Sequence, residues 1–181
     1  MNSNGNIIFL TGERDSGKTI ICEQVIKKIS SECKTITGVI SPGRYEDSKK
    51  TGIYCLDIAS GEKKLLAFYS PGWDTQNPQR DWQFIWETLH WGNEVLGNSV
   101  PTDLLVIDEV GYLEFEKEEG WVNALAALDS RKYEYALVIV RPVLIENALE
   151  RYPDAKLIKI SAIEDREIVI QELVSFFSKN L

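Results

Sequence analysis

Apolar and polar positions follow two rhythms along this chain, one of strands and one of helices. Asn6-Ile-Ile-Phe-Leu-Thr11 is a short apolar run closed by Gly12, which predicts a buried strand. From Lys18 to about Ser31, Ile21, Cys22, Val25, Ile26 and Ile29 recur at helical spacing. Thr35–Ser41 alternates and carries β-branched residues, predicting a second strand stopped by Pro42-Gly43. Gly52–Ile58 and Lys63–Tyr69 flank a Ser60-Gly61 turn and predict a β-hairpin, either an insertion or an antiparallel edge. Residues 70–80 read as a loop. Asp81 then reads as the cap of a helix with Trp82, Ile85, Trp86, Leu89 and Leu96 on one face, which puts both tryptophans in the core.

The second half repeats the alternation. Leu104-Leu-Val-Ile-Asp108 has the continuous apolar pattern of a strand covered on both sides. A helix from about Glu118 to Leu128 should follow, with glutamates in its first turn. Tyr135–Val140 predicts another buried strand, Pro142 a helix start continuing through Arg151, Lys156–Ile160 a last strand, and Glu167–Phe177 a last helix. Strands alternating with helices mean an α/β fold. We expect one domain, with a central mostly parallel sheet flanked by helices and a β-hairpin insertion at about 52–69. Five parallel strands are expected, with the strand before Lys18 in the middle.

Composition narrows the function classes. Twenty Lys and Arg against twenty-eight Asp and Glu leave a net charge of −8 over 181 residues. That balance argues against a non-specific nucleic-acid binder, and no nucleic-acid partner is expected. Cys22, Cys33 and Cys55 are odd in number and lack C-x-x-C spacing, which fits a reducing compartment rather than a disulfide framework or zinc site. The apolar stretch Ile7–Leu10 is too short for a signal segment or membrane span, so a cytoplasmic protein without a membrane partner is expected. His90, the sole histidine, lies off the predicted apolar face and receives no role.

The chemistry concentrates in Gly12-Glu13-Arg14-Asp15-Ser16-Gly17-Lys18-Thr19, which matches the phosphate-binding pattern G-x-x-x-x-G-K-[ST] between a predicted strand and a predicted helix. Backbone N–H groups there converge on an anion, and the helix dipole adds to them. Lys18 would reach the β- and γ-phosphates of a nucleotide such as ATP or GTP, and the Thr19 hydroxyl would ligate Mg²⁺. Asp108 would end a buried strand at its carboxyl end, the rim where open α/β sheets bind ligands, as the Mg²⁺-side acid. Glu109 is the candidate that orients or deprotonates the attacking water. Arg141 ends the next buried strand at the same rim; it either senses the γ-phosphate or is an exposed arginine before Pro142. Arg44, Lys49 and Lys50 either supply transition-state charge, in cis or from a second subunit, or form a solvated loop. Trp73 could stack on a base or make a subunit contact. Glu114, Glu116, Glu118 and Glu119 read as a solvated helix start.

With both motifs in place, the chain resembles the small P-loop nucleoside-triphosphatase family first described from thermophiles, whose animal members are called cancer-related nucleoside-triphosphatase. Gly38-Val-Ile-Ser-Pro42 and Lys49-Lys50-Thr-Gly52-Ile-Tyr-Cys-Leu-Asp57-Ile-Ala-Ser-Gly61-Glu62 are similar to the family's basic pair and following hairpin. Leu105-Val-Ile-Asp108-Glu109-Val-Gly111-Tyr-Leu-Glu114 is similar to its acidic strand end. The resemblance covers roughly residues 6–178. It implies a P-loop fold and Mg²⁺-dependent hydrolysis of nucleoside triphosphates with broad base tolerance. It assigns phosphate binding to Gly12, Gly17, Lys18 and Thr19, metal binding to Asp108 and water activation to Glu109.

Three departures qualify that reading. Arg14-Asp15 stands where members commonly have Pro-Gly. A Gly in that loop often supports a positive φ, which Asp tolerates better than most residues but not freely. Asp15 also places a carboxylate near the incoming phosphates, so weaker nucleotide binding than in typical members is expected. Tyr112 replaces a usual Pro. Asp165-Arg166-Glu167 stands where the family tends to have Asn-Arg-Asp, a departure in the segment from which a base contact would come. Two rival functions fit the same motifs: a small-molecule or nucleotide kinase, and a nucleotide-dependent switch with little turnover. An oligomeric assembly is compatible with the sequence.

Overall fold

The computed structural model describes residues 5–31, 35–72, 81–110 and 120–181. Its strands are β1 (Asn6–Gly12), β2 (Ile36–Ile40), β3 (Gly43–Glu46), β4 (Lys49–Asp57), β5 (Lys63–Tyr69), β6 (Trp82–Phe84), β7 (Thr102–Val110), β8 (Tyr133–Val140) and β9 (Lys156–Ile160). Its helices are α1 (Lys18–Ile29), α2 (Trp86–Gly97), α3 (Val122–Ser130), α4 (Ile145–Arg151) and α5 (Asp165–Asn180), with a 3₁₀ turn at Pro142–Leu144 leading into α4.

One mixed sheet runs β6-β5-β4-β2-β7-β8-β1-β9, with β3 paired on β4. The pairs β2–β7, β7–β8, β8–β1 and β1–β9 are parallel, giving the five parallel strands expected. The pairs β2–β4, β3–β4, β4–β5 and β5–β6 are antiparallel. The hairpin at 52–69 therefore continues the sheet, because the antiparallel β4 bonds directly onto the edge of β2. The middle of the parallel order is β8, not the strand before Lys18. Only β9 lies beyond β1, whereas β8, β7 and β2 stack on its other flank. Even so, β1 is paired on both edges, which fixes the start of the loop that follows it.

Side chains of the parallel strands alternate between two cores, as strand pleating requires. Ile7, Phe9, Leu105, Ile107, Ala136, Val138 and Val140 face one layer, with Leu96, Ala124, Leu128 and Ala148 of α2, α3 and α4. Ile8, Leu10, Leu104, Val106, Leu137 and Ile139 face the other, with Ile21 and Val25 of α1 and Leu173 and Phe177 of α5. Leu104 to Ile107 are all fully buried, which explains their unbroken apolar run.

Two helix starts differ from the sequence expectation. Asp81 caps no helix: Trp82–Phe84 is an edge strand, held by Ser70 N–H to the Asp81 carbonyl at 2.8 Å and Ile85 N–H to the Leu66 carbonyl at 2.8 Å. Aromatic residues fit a half-buried pleat as readily as a helix face, and the offered β5 edge decides between them. Trp82 then lies edge-to-face on Tyr69, centroids 5.7 Å apart. Trp86 becomes the first residue of α2 and is 66% exposed, not part of the core. The second is α3, which starts at Val122 because Gly120 at φ 75° lies ahead of it. Trp73, Cys33, Tyr112 and Glu114–Glu119 lie outside the described residues. Cys22 and Cys55 are buried free thiols whose pKa burial pushes up, Cys55 to about 12. Among the described residues no helix is long and apolar enough to cross a membrane.

Candidate functional site

The carboxyl ends of β1, β7 and β8 bring the candidate residues to one rim. Gly12 ends β1 and Lys18 opens α1, so residues 13–17 form the connecting loop. Asp15 has φ 60° and Gly17 φ 90°, both in the left-handed region. Asp15 thus adopts the conformation that the family's more usual glycine would support there. Gly17 caps α1 without a side chain, which leaves the first N–H groups of the helix open to an anion. Ser16 N–H closes the loop on the Glu13 carbonyl at 3.2 Å.

Lys18 Nζ donates to the carbonyls of Gly12 and Glu13, each at 2.6 Å, and to Ser16 Oγ at 3.2 Å. Its ammonium therefore sits over the loop, where a phosphate oxygen would compete with those acceptors. Burial lowers its pKa, opposed by the charges of Glu109, Asp108, Glu13 and Asp15. Arg14 and Asp15 point outward as an exposed pair 3.9 Å apart.

Asp108 is 3% exposed, and burial pushes its carboxyl up to about 6. Two donors oppose that rise: Ser41 N–H gives Oδ2 a hydrogen bond at 2.8 Å, and the Thr19 hydroxyl gives another. The bond from Ser41, just past β2, ties a third strand end to the rim. Two oxygen donors of a hard kind, the Asp108 carboxylate and the Thr19 hydroxyl, thus lie side by side beneath Lys18. Among the described residues no three His, Cys, Asp or Glu side chains cluster to hold a metal alone. That donor set fits Mg²⁺, which takes one or two protein oxygens and completes its shell with phosphate and water.

A register break displays Glu109. Between the aligned pairs Ile107–Val138 and Val110–Val140, β7 has one more residue than β8, a β-bulge carrying Asp108 and Glu109. Bulges re-aim side chains and are rare in parallel pairs. Within this one, Glu109 adopts φ 75°, a conformation costing about 1–2 kcal/mol for a residue with a Cβ. Asp108 follows Leu104 and Val106 in the ordinary alternation and faces the α1 side of the sheet, while the bulge leaves Glu109 half-exposed at the rim. Arg141, at the end of β8, does reach this rim. Its Nε–H donates to Glu109 Oε1, so its side chain is neither aimed at the loop nor simply solvated.

Arg44 lies on β3 and pairs with Glu46. Lys50 lies 5.8 Å from the Trp82 ring, and Lys49 is exposed. Among the described residues, no contact draws these three to the loop. Arg166, which the sequence brings up only for a base contact, instead touches the loop between β1 and α1: its Nε–H donates to the Ser16 carbonyl at 2.7 Å. The Asp165-Arg166-Glu167 segment was the only pointer to it, because the two partners stand 150 positions apart.

A family model described as NTPase matches residues 7–174. The chain is 30% identical over 152 residues to nucleoside-triphosphatase THEP1 of Methanopyrus kandleri, covering 81% of this chain and 82% of that one. It is 22% identical over 169 residues to nucleoside-triphosphatase THEP1 of Methanocaldococcus jannaschii, covering 93% and 95%. The fold is similar to the solution structure of a human cancer-related nucleoside triphosphatase, with a TM-score of 0.71 at 17% identity over 98% of this chain and 100% of that one. It is also similar to the crystal structure of THEP1 from the hyperthermophile Aquifex aeolicus, with a TM-score of 0.59 at 17% identity over 94% and 98%.

Proposed function

The chain belongs to the NTPase family that its residues 7–174 match, and on that premise we propose that it hydrolyses nucleoside triphosphates to the diphosphate and phosphate, with Mg²⁺ and with broad base tolerance. The observation that carries this reading is the end of β7, where strand alternation buries Asp108 and the bulge with its left-handed backbone leaves Glu109 half-exposed at the rim. Asp108, buried beside Thr19, would hold the metal. Glu109, half-exposed on a left-handed backbone, would take the proton of an attacking water.

The remaining residues serve binding and charge. N–H groups of residues 13–19 cradle the β- and γ-phosphates, and Lys18 places its ammonium against them in exchange for the carbonyls it now holds. Mg²⁺ bound by Thr19 and Asp108 would neutralise charge developing on the phosphate oxygens. Arg141 orients the Glu109 carboxylate through its Nε–H, and γ-phosphate charge would draw the same guanidinium toward the loop. Every contact in this scheme addresses phosphate rather than base, which supports broad base tolerance. The odd cysteine set and the buried thiols support a cytoplasmic setting.

Phosphate release from ATP, GTP, CTP and UTP tests the reading. Turnover on all four is expected with Mg²⁺, and none in excess EDTA. Tight binding with no phosphate released overturns it in favour of a switch. Release only in the presence of an acceptor points instead to a kinase.

The same site makes a prediction about Asp15. Its carboxylate costs nucleotide affinity through repulsion of the phosphates, about 1 kcal/mol for two charges near 4 Å in water. Asp15→Gly removes that charge and the left-handed strain at φ 60° together. ATP titration should show about fivefold tighter binding. An unchanged affinity would overturn the idea that Asp15 weakens nucleotide binding.

A further inference from the structure

Arg166 stands at the first turn of α5, and its guanidinium reaches across to the loop before α1. Nε–H donates to the Ser16 carbonyl at 2.7 Å and an Nη2 hydrogen to the Asp15 carbonyl at 3.1 Å. A Cβ built on Gly17 would meet Arg166 Nε at 2.2 Å, so the guanidinium lies directly against the bare face of that glycine. The arginine leaves from a fixed point. Asp165 Oδ2 accepts N–H hydrogen bonds from Ser161 at 3.0 Å and Ala162 at 2.8 Å, which ties the start of α5 to the end of β9. Farther along, Val169, Ile170, Leu173 and Phe177 seat α5 in the same core as Ile21, Val25 and Ile29 of α1.

A cation at the N-terminus of α1 opposes the helix dipole, so helix stability does not account for its position. The peptide planes do. In a trans peptide the C=O and N–H point in opposite directions. Holding the Ser16 carbonyl on Arg166 therefore turns the Gly17 N–H to the opposite side of that peptide. Holding the Asp15 carbonyl fixes the preceding peptide, whose Ser16 N–H closes the loop on the Glu13 carbonyl at 3.2 Å. Were the Ser16–Gly17 peptide to flip, its carbonyl would face the phosphates in place of an N–H, and a flip of the Asp15–Ser16 peptide would open the loop. Asp15 and Gly17 are both left-handed and sparsely constrained by their own side chains, so an outside clamp on these two planes has an effect here.

We propose that Arg166 is a positioning residue for nucleotide binding, clamping the Asp15–Ser16 and Ser16–Gly17 peptides so that the loop presents its N–H groups to phosphate. The proposal rests on the reading of residues 12–19 as a phosphate-binding loop. A merely structural staple between α5 and α1 would alter melting temperature without altering affinity in the folded protein.

The test is calorimetric titration of the full chain with a non-hydrolysable ATP analogue, beside steady-state phosphate release, for wild type, Arg166→Ala and Arg166→Lys. Loss of the charged donor in Arg166→Ala should weaken binding about tenfold or more. KM should rise in parallel, with kcat changed by less than about threefold, and millimolar guanidinium ion should recover part of the affinity. Arg166→Lys should fall between, since one ammonium cannot fork to two carbonyls. Affinity within twofold of wild type in folded Arg166→Ala overturns the proposal. If that variant melts below the assay temperature, wild-type affinity in Arg166→Lys overturns it equally. A wild type that binds the analogue but releases no phosphate removes the hydrolase reading alone, because the titration needs no turnover. A wild type that binds no nucleotide removes both.

Discussion

Glu109→Gln is expected to lower phosphate release about 10²–10⁴-fold, the usual contribution of a positioned general base, while ATP affinity stays within about twofold. The substitution keeps shape, and the amide oxygen still accepts the Arg141 Nε–H. It keeps the left-handed φ of 75° as well, so the backbone of the bulge is undisturbed. What disappears is basicity. The lost ion pair is half-exposed, with side-chain exposures of 62% for Arg141 and 38% for Glu109, and such pairs contribute about 0–1 kcal/mol. A stability change that small cannot account for a thousandfold loss of turnover. Glu109→Gly supplies the complementary measurement. It relieves the strain at φ 75° and should melt no lower than wild type, yet it should be as inactive as the glutamine variant. Turnover within threefold of wild type in both variants would take the water-activating role away from Glu109.

That pairing of strain with function was out of reach of sequence patterns. Leu104–Asp108 reads plainly as a covered strand ending in acid, because four consecutive apolar residues have few other uses. The loop between β1 and α1 was equally legible, since the Gly12 to Thr19 pattern is expected between a strand and a helix and is found there. A bulge has no such marker. Asp108 and Glu109 look like successive residues of one strand, and only the pairing of Val110 with Val140 shows that an extra residue has been admitted. The interior position of Asp108 follows from plain alternation with Leu104 and Val106, whereas the meeting of Glu109 with Arg141 depends on the bulge.

Long-range partners were hidden for a similar reason. Ser41 N–H and Asp108 are 67 positions apart, and Arg166 is still farther from Ser16. Local periodicity carries no information about such meetings. Sheet order and the seating of α5 on α1 decide them. At Trp82–Phe84 aromatic spacing satisfies a helical template, while the free edge of β5 offers hydrogen bonds that a helix could not use. Composition told strand from helix correctly wherever β-branched residues dominated, as in β2, β7 and β8.

Lys18→Ala should remove binding itself, by about 10²-fold or more in a titration with ATP, the usual scale for truncating one partner of a hydrogen-bonded charge pair. In the folded protein its ammonium satisfies the Gly12 and Glu13 carbonyls at 2.6 Å each and Ser16 Oγ at 3.2 Å. Those acceptors are left facing the phosphate side once the side chain is gone. The charge balance worsens too. Lys18 feels Glu109, Asp108, Glu13 and Asp15, so its removal leaves four carboxylates around an incoming polyanion. Lys18→Arg should rescue little, because a planar fork cannot occupy the point at which three acceptors converge on one nitrogen. ATP affinity within threefold of wild type in Lys18→Ala would mean that the loop N–H groups bind phosphate unaided. Measured together, the two variants separate steps that one activity assay merges. A protein that binds and does not turn over has lost the base at the bulge. A protein that does neither has lost the cation at the loop. If both fail in the same way, the site is not built from a binding loop and a separate water-activating acid, and the division of labour between Lys18 and Glu109 falls with it.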